Sequence, residues 1–382
     1  MDFAFTEEQE ALRAGARRFL ALHSSSARVR AAMKSERGWD VDVWQRIGQE
    51  LGWASMIVPE AYGGAGAGHV ELVGLLEEAG YALLCAPLLS TVALGTNALL
   101  LGSHEAPRAA WLPRIAAGEA TATVAYLEAP ARADADSITA VARLDGDDYV
   151  LSGIKRFVLD GATATVLVVA ARVAGAGAGE AGVALFAVPA DAAGVERRGL
   201  ATMDQTRRVA DVTLRDVRVP RSAVVAGPGL GWGVLQGTLQ RACVALAAEQ
   251  VGGAQRCLEM SVEYAKVRVQ FGRPIGSFQA IKHRCADMFV DVESARSAAY
   301  YAGCVAASGD AAELTVAAST AKAFCSEAFF RTAAETLQVH GGIGITWEHD
   351  AHLYFKRARG SESLFGDPSS HREVVARCIG LE

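Results

Sequence analysis

The stretch "VRVQFGRPIGSFQAIKHRCADM", residues 267–288, is where the reading of this chain turns. A long helical pattern runs into it. Arg268 and Gln270 close that helix, Phe271 and Gly272 break it, and Pro274 bars re-entry, since proline lacks the N–H that a helix interior uses. An ordinary corner between two helices does not need an arginine, glutamines and aromatic rings packed so closely, with Gln279 just beyond. A planar guanidinium beside backbone freed by glycine is how a diphosphate is held. A plain helix–helix corner remains the alternative.

A second stretch, "LQVHGGIGI" (337–345), has related chemistry. Gly341 and Gly342 allow close backbone approach and positive φ. Their N–H groups, with the Gln338 side chain, form a potential nest for an anion. On its own a Gly-Gly pair after a helix is an ordinary C-cap.

Around these segments the texture of the chain changes twice. Residues 1–119 have helical periodicity. Thr6 is placed to cap the first helix, with Glu7 and Glu8 in its first turn and Leu12, Ala16, Phe19 and Leu20 on one face. Residues 120–228 break into short runs rich in Val, Leu and Thr, such as "TATVAYLE", "DYVLSGIKRFVL" and "GVALFAVPA", separated by Gly and Asp turns. This is the pattern of a β-domain. The run "AGAGAGEAG" (174–182) between two of them is expected to be a floppy hairpin loop rather than a phosphate cradle. From 229 to 382 the pattern is helical again.

Bulk properties bound the function. The chain has 382 residues, enough for more than one domain at ~150 residues each. A net charge of −6 argues against nucleic acid or an anionic membrane as a partner held by bulk charge. Seven cysteines with no Cys-x-x-Cys pair point to reduced thiols in a cytoplasmic protein. The start "MDFAFTEEQE" has no signal-peptide pattern, and no apolar run is long enough to span a bilayer.

Taken together, the two glycine-containing segments resemble the flavin-binding segments of the acyl-CoA dehydrogenase family. The likeness extends over nearly the whole chain, through "WQRIGQELGWASMIVPEAYGG", "WLPRIAAGEATATVAYLE" and "GDDYVLSGIKRFVLDGATAT". It implies an α+β fold: an N-terminal helical domain (1–119), a central β-barrel (120–228) and a C-terminal four-helix bundle (229–382). It implies FAD at a subunit interface of a homo- or hetero-oligomer (dimer or tetramer), an acyl-CoA substrate and an electron-accepting flavoprotein. By motif, Arg268, Gln270, Phe271 and Gln279 would lie along the diphosphate and adenine side of FAD. Gln338, Gly341 and Gly342 would hold the diphosphate from the neighbouring subunit.

The family's chemistry pairs removal of the α-proton by a carboxylate with loss of the β-hydrogen as hydride to flavin. The base must sit in a dry pocket with a suitable pKa. Three family features depart here. Where the family carries a Thr-Glu-Pro-x-x-Gly-Ser-Asp loop, this chain reads "LEAPARADAD": Glu128 matches, Leu127 replaces the threonine, and the Gly-Ser pair is absent. Leu159 stands where a threonine bonds the flavin ring. Phe365, before Gly366, occupies the slot of the catalytic glutamate, and Ala242 occupies the alternative slot on the long helix. The half of the site that binds ADP is intact, and the half that does chemistry is eroded. That asymmetry resembles the base-lacking subunits of heteromeric α2β2 acyl-CoA dehydrogenases of actinobacterial steroid side-chain breakdown.

Two carboxylates are candidate replacements. Glu249 lies two helical turns beyond Ala242, in apolar surroundings that would raise its pKa; reaching solvent or pairing with a nearby arginine is the plainer reading. Asp367 follows the Phe365 slot; capping the turn before Pro368 is its plainer reading. His349 and His352 lack the further ligands of a zinc site, so no metal is expected, and "EHDAH" reads as a helix start with Glu348 and Asp350 facing the dipole. His283 and His340 read as packing or hydrogen-bonding residues rather than acid–base groups. A non-catalytic flavin-binding scaffold and a same-fold flavin monooxygenase stay open as alternatives.

Overall fold

A computed structural model describes residues 5–381. The chain divides into two units. One comprises the described residues up to 31, His69–Leu84 and everything from Cys243 onward; the other comprises Ala32–Gly68 and Cys85–Ala242.

The first unit is helical: α1 (Glu7–His23), the start of α2 (Ser26–Lys34), α4 (His69–Tyr81), most of α7 (Gly231–Val267), α8 (Gln279–Ser308), α9 (Ala311–His340), α10 (Ala351–Glu362) and α11 (Pro368–Cys378). Thr6 caps α1 in a complete capping box with Gln9, and Ala16 and Leu20 are buried on the expected face. Helices α7 and α9 run side by side in the same direction. Their partners advance together: Gln250 bonds Ser326, Ser261 bonds Thr336, and Tyr264 stacks on His340. Glycine permits the closest contacts of α7. A Cβ at Gly252 would lie 1.8 Å from the Glu77 carbonyl oxygen of α4, and one at Gly80 would lie 1.9 Å from that of Glu249. A Cβ at Gly253 would meet the Phe329 ring of α9 at 2.4 Å. The small residues of "ACVALAAEQVGGA" therefore serve helix packing.

The second unit holds α3 (Val41–Gln45), α5 (Asn97–Leu101), α6 (Glu105–Ala116) and an eight-stranded sheet. Its strands are β1 (Ala122–Ala125), β2 (Val141–Asp145), β3 (Asp148–Leu159), β4 (Val166–Val173), β5 (Val183–Pro189), β6 (Val195–Gly199), β7 (Val209–Pro220) and β8 (Val224–Ala226). The order is β6-β7-β3-β2-β4-β5-β8, with β1 added parallel to β4. The sheet wraps one core that includes Leu151, Val169, Phe186, Val212 and Val217. Residues Val166–Ala171 of β4 are buried on both faces, which is why that strand reads as an unbroken apolar run. The "AGAGAGEAG" segment is the expected β4–β5 connection but is tied down rather than floppy. Arg172 donates to the carbonyls of Gly179 (2.9 Å) and Ala135 (2.6 Å).

Two details around the opening stretch differ from the sequence reading. Helix α7 ends at Val267, before Arg268 and Gln270. Val269–Gln270 (β9) then pairs with Arg273–Pro274 (β10) in a two-residue hairpin whose turn is Phe271-Gly272. Both turn residues have positive φ, 52° and 76°, as a type I′ turn demands.

The glycine contacts predict opposite responses along one helix. Gly252→Ala should destabilise by about 1–3 kcal/mol through overpacking against α4. Gly233→Ala, with nothing within 4 Å of its Cβ, should stabilise by up to ~1 kcal/mol through helix propensity. Thermal unfolding of the two variants, scanned at one rate, checks the opposite signs.

Candidate functional site

The parallel course of α7 and α9 brings the two glycine-containing segments to the same end of the helical unit. Tyr264, one turn before Arg268, stacks on His340, one residue before Gly341, with ring centroids 4.4 Å apart. The two segments therefore lie together at that end of the unit. Arg268, Gln270, Gln279 and Gln338 are exposed, and their side chains form no hydrogen bond or ion pair among the described residues. Phe271 is 92% exposed at its turn. Gly341 takes φ 62° as the cap of α9, and a Cβ at Gly341 or Gly342 would meet nothing within 4 Å. Only Gly341 uses positive φ; Gly342 does not. Open glycine backbone, an unpaired guanidinium and free amide donors fit an anionic cofactor such as the diphosphate of FAD.

The histidines nearby are structural in their contacts. His340 is buried, with Nδ1 2.8 Å from the Thr336 carbonyl oxygen. Asp350 sits at the N-cap position of α10 but turns its carboxylate to Ser26 and Arg30, each at 2.7 Å. Among the described residues no group of three or more His, Cys, Asp or Glu is placed to hold a metal ion.

The loop between α10 and α11 carries Phe365, in the left-handed region at φ 61°, and Gly366 at φ 108°. Three side chains hold its backbone. Lys322, wholly buried on α9, donates to the carbonyls of Glu362 (2.9 Å) and Gly366 (2.8 Å) and to Ser326 Oγ (3.0 Å). His371 Nε2 lies 3.1 Å from the Phe365 carbonyl oxygen, and the Cys243 thiol lies 4.0 Å from it. Burial pushes that thiol up to about 12 and the His371 imidazole down to about 4, so both are neutral near pH 7. The two candidate carboxylates are engaged. Glu249 is buried and accepts from Arg357 Nη1 at 2.5 Å. Asp367 caps α11, accepting from the Ser370 N–H at 2.7 Å; that bond keeps its pKa below the usual aspartate range. Ala242, the other slot, is buried.

In the sheet unit, Glu128 is also committed. Its carboxylate accepts from Lys155 Nζ (2.5 Å), from the N–H groups of Thr139 and Ala140 (both 3.0 Å) and from the Thr139 hydroxyl. Burial would raise its pKa, but Lys155 and these donors outweigh it and hold it low. Burial takes Lys155 down to about 8 against the pull of Glu128. The pair clamps the 128–140 loop to β3. Leu159 is buried, and its carbonyl accepts from the Thr123 hydroxyl at 2.7 Å. Sequence reading passed over Lys155 and Lys322. The available signal was a lysine inside an apolar stretch, in "SGIKRFV" and in "AASTAKAF".

Comparison with known proteins agrees with this architecture. The acyl-CoA dehydrogenase N-terminal domain model matches residues 6–119, the middle domain model 123–217 and the C-terminal domain model 229–380. The chain is 38% identical over 371 residues to acyl-CoA dehydrogenase IpdE2 of Mycobacterium tuberculosis, covering 97% of this chain and 96% of that protein. Among solved structures it resembles butyryl-CoA dehydrogenase from Megasphaera elsdenii, with TM-score 0.92, 26% identity and coverage of 99% and 100% of the two chains. It also resembles a chain of the ChsE4-ChsE5 complex from Mycobacterium tuberculosis, with TM-score 0.90, 28% identity and full coverage of both chains. With all three domain models matched in order and a 38%-identical relative aligned nearly end to end, the chain belongs to the acyl-CoA dehydrogenase family.

Proposed function

We propose that this chain is an FAD-binding subunit in the α,β-desaturation of an acyl-CoA thioester, and that it completes the FAD site of a heteromer whose other subunit supplies the base. One observation carries the reading. Every polar side chain expected to grip the ADP half of FAD is exposed and unpaired among the described residues at one end of α7 and α9, while the positions expected to meet the flavin ring and the α-proton hold Leu127, Leu159 and Phe365. FAD, when bound, supplies the acceptor for the hydride that leaves the β-carbon. In this chain, Arg268 would neutralise diphosphate charge, Gln338 and the backbone at Gly341 and Gly342 would hold the same group, and Phe271 would cover an apolar part of the cofactor.

Proton abstraction falls to the partner because both candidate carboxylates are engaged. Glu249 would have to leave Arg357, and Asp367 would have to leave the end of α11. The same end of the unit also exposes Val267, Val269, Ile343, Ile345 and Trp347. Apolar surface of this kind beside unpaired polar groups supports burial against a second subunit. The resemblance to a chain from a two-component complex supports the heteromer.

Arg268→Ala should weaken FAD binding by roughly 10- to 100-fold, the range carried by loss of a charge-assisted bond worth ~1.5–3 kcal/mol. Gln338→Ala should weaken it by about fivefold, as for a neutral bond of ~1 kcal/mol. FAD content after gel filtration and a titration of the apoprotein measure both, and unchanged retention in the two variants removes the site assignment.

The chain purified alone should not bleach its flavin with acyl-CoA thioesters, whereas co-expression with a family member that carries the Thr-Glu-Pro loop and a glutamate at the base slot should give turnover. Desaturation by the lone chain that disappears on Glu249→Gln or Asp367→Asn would instead place the base in this subunit.

A further inference from the structure

We infer that Lys322 is a positioning residue: with His371 it braces the loop between α10 and α11 so that residue 365 is held in a left-handed turn. The functional meaning of this brace rests on the reading of position 365 as the base slot, but its geometry does not.

Lys322 is an expensive choice for packing alone. Its side chain is wholly buried, and no carboxylate comes within ion-pair distance of it among the described residues, the charges of Glu362 and Asp367 acting on it from farther off. A buried ammonium without a directly bonded carboxylate is unfavourable, and an unbranched apolar side chain would fill the same space without that penalty. All three of its donors have acceptors, and two of these are carbonyls flanking Phe365: Glu362 three residues before it and Gly366 directly after it. The third, Ser326, belongs to a strut that continues through Gln250 to Ser361 on α10, with bonds of 3.0 and 3.1 Å. His371 closes the brace from α11 by reaching the carbonyl of Phe365 itself.

The braced conformation is one that a phenylalanine resists. A bulky residue at φ 61° is uncommon, since its Cβ crowds the carbonyl that follows. Gly366 adds a second constraint, because a Cβ there would sit 3.0 Å from His371 Nε2. Such backbone persists only when its surroundings over-determine it. The loop therefore keeps a fixed presentation of position 365 even though the side chain there has no acid–base chemistry.

The test uses Cys243, which the loop covers, as a local probe. In the full-length chain, Lys322→Met should raise the rate of Cys243 alkylation by a maleimide about tenfold, the factor carried by ~1.4 kcal/mol of lost bracing. Peptide mass mapping separates it from the other cysteines, and Cys257, buried elsewhere along α7, reports global opening. Glycine accepts the left-handed region without strain, so Phe365→Gly should return most of the protection in the double variant. Rescue at 365 is what a merely structural lysine would not produce. If Lys322→Met does not fold, His371→Gln tests the same brace with the buried charge kept, with the same expected rise and the same rescue. Unchanged Cys243 protection, parallel labelling of Cys257, or failure of Phe365→Gly to rescue would each overturn the proposal. FAD retention by Lys322→Met should equal that of the parent chain, since Lys322 lies roughly 27 Å along α9 from His340 at 1.5 Å per residue. No flavin, thioester or partner enters the labelling, so its outcome is independent of the outcome for Arg268→Ala.

Discussion

Backbone contact between α4 and α7 is the constraint on which the helical unit depends. Gly80 and Gly252 let each helix press on a carbonyl of the other, at Glu249 and Glu77. Two acids of α4, Glu77 and Glu78, are buried and are neutralised in place. Arg296 and Tyr300 meet Glu77 at 3.0 and 2.6 Å, and Arg17 meets Glu78 at 2.7 Å. Burial still raises the Glu78 pKa against these partners. The same approach leaves Glu249 no route outward, so it turns to Arg357 of α10. The packing of glycines thus decides the chemistry available to a carboxylate two helical turns from a family base position.

That logic extends to each acid that sequence alone offers to the reaction. Glu128 binds the loop of residues 128–140 to Lys155, Asp367 starts α11, and Glu249 neutralises Arg357. A buried pair that loses one partner typically loses about 3–5 kcal/mol, because the remaining charge is stranded. A base must change its charge during each cycle. An acid whose charge holds a buried arginine in place is poorly suited to that task, whatever its position.

Much of the architecture was legible because it is written in local periodicity. Thr6 followed by Glu7 and Glu8 marks a capped helix start, and runs such as "GVALFAVPA" between Gly and Asp turns mark strands. Edge strand β6, "VERRG", carries no apolar alternation because it faces water, and β8 has only three residues. Both escape pattern reading. At the site, Arg268, Gln338 and the glycines could be named from their types, but their shared location comes from the parallel α7–α9 pairing, a contact between residues some 75 positions apart. The partners of Lys322 and Glu249 are likewise set by packing at a distance. The turn at Phe271 shows a finer limit: a helix break was evident, whereas the type I′ hairpin required φ values that phenylalanine rarely adopts.

On the proposed reading, exposure of the ADP-binding residues has an electrostatic reason. Two unit charges 4 Å apart attract by about 1 kcal/mol in water and by about 4 kcal/mol at the effective dielectric near a protein surface. Arg268 facing solvent is therefore a weak grip on a diphosphate. The apolar residues around it, Val267, Val269, Ile343 and Ile345, change that once a second subunit covers them, because they exclude water from the same volume. Assembly and cofactor retention become linked: each subunit that seats on this end strengthens the hold on FAD, and bound FAD stabilises the seated subunit by the same free energy. A chain that keeps this end and loses its base retains a defined role, since the linkage requires only Arg268, the glutamines and the glycine backbone.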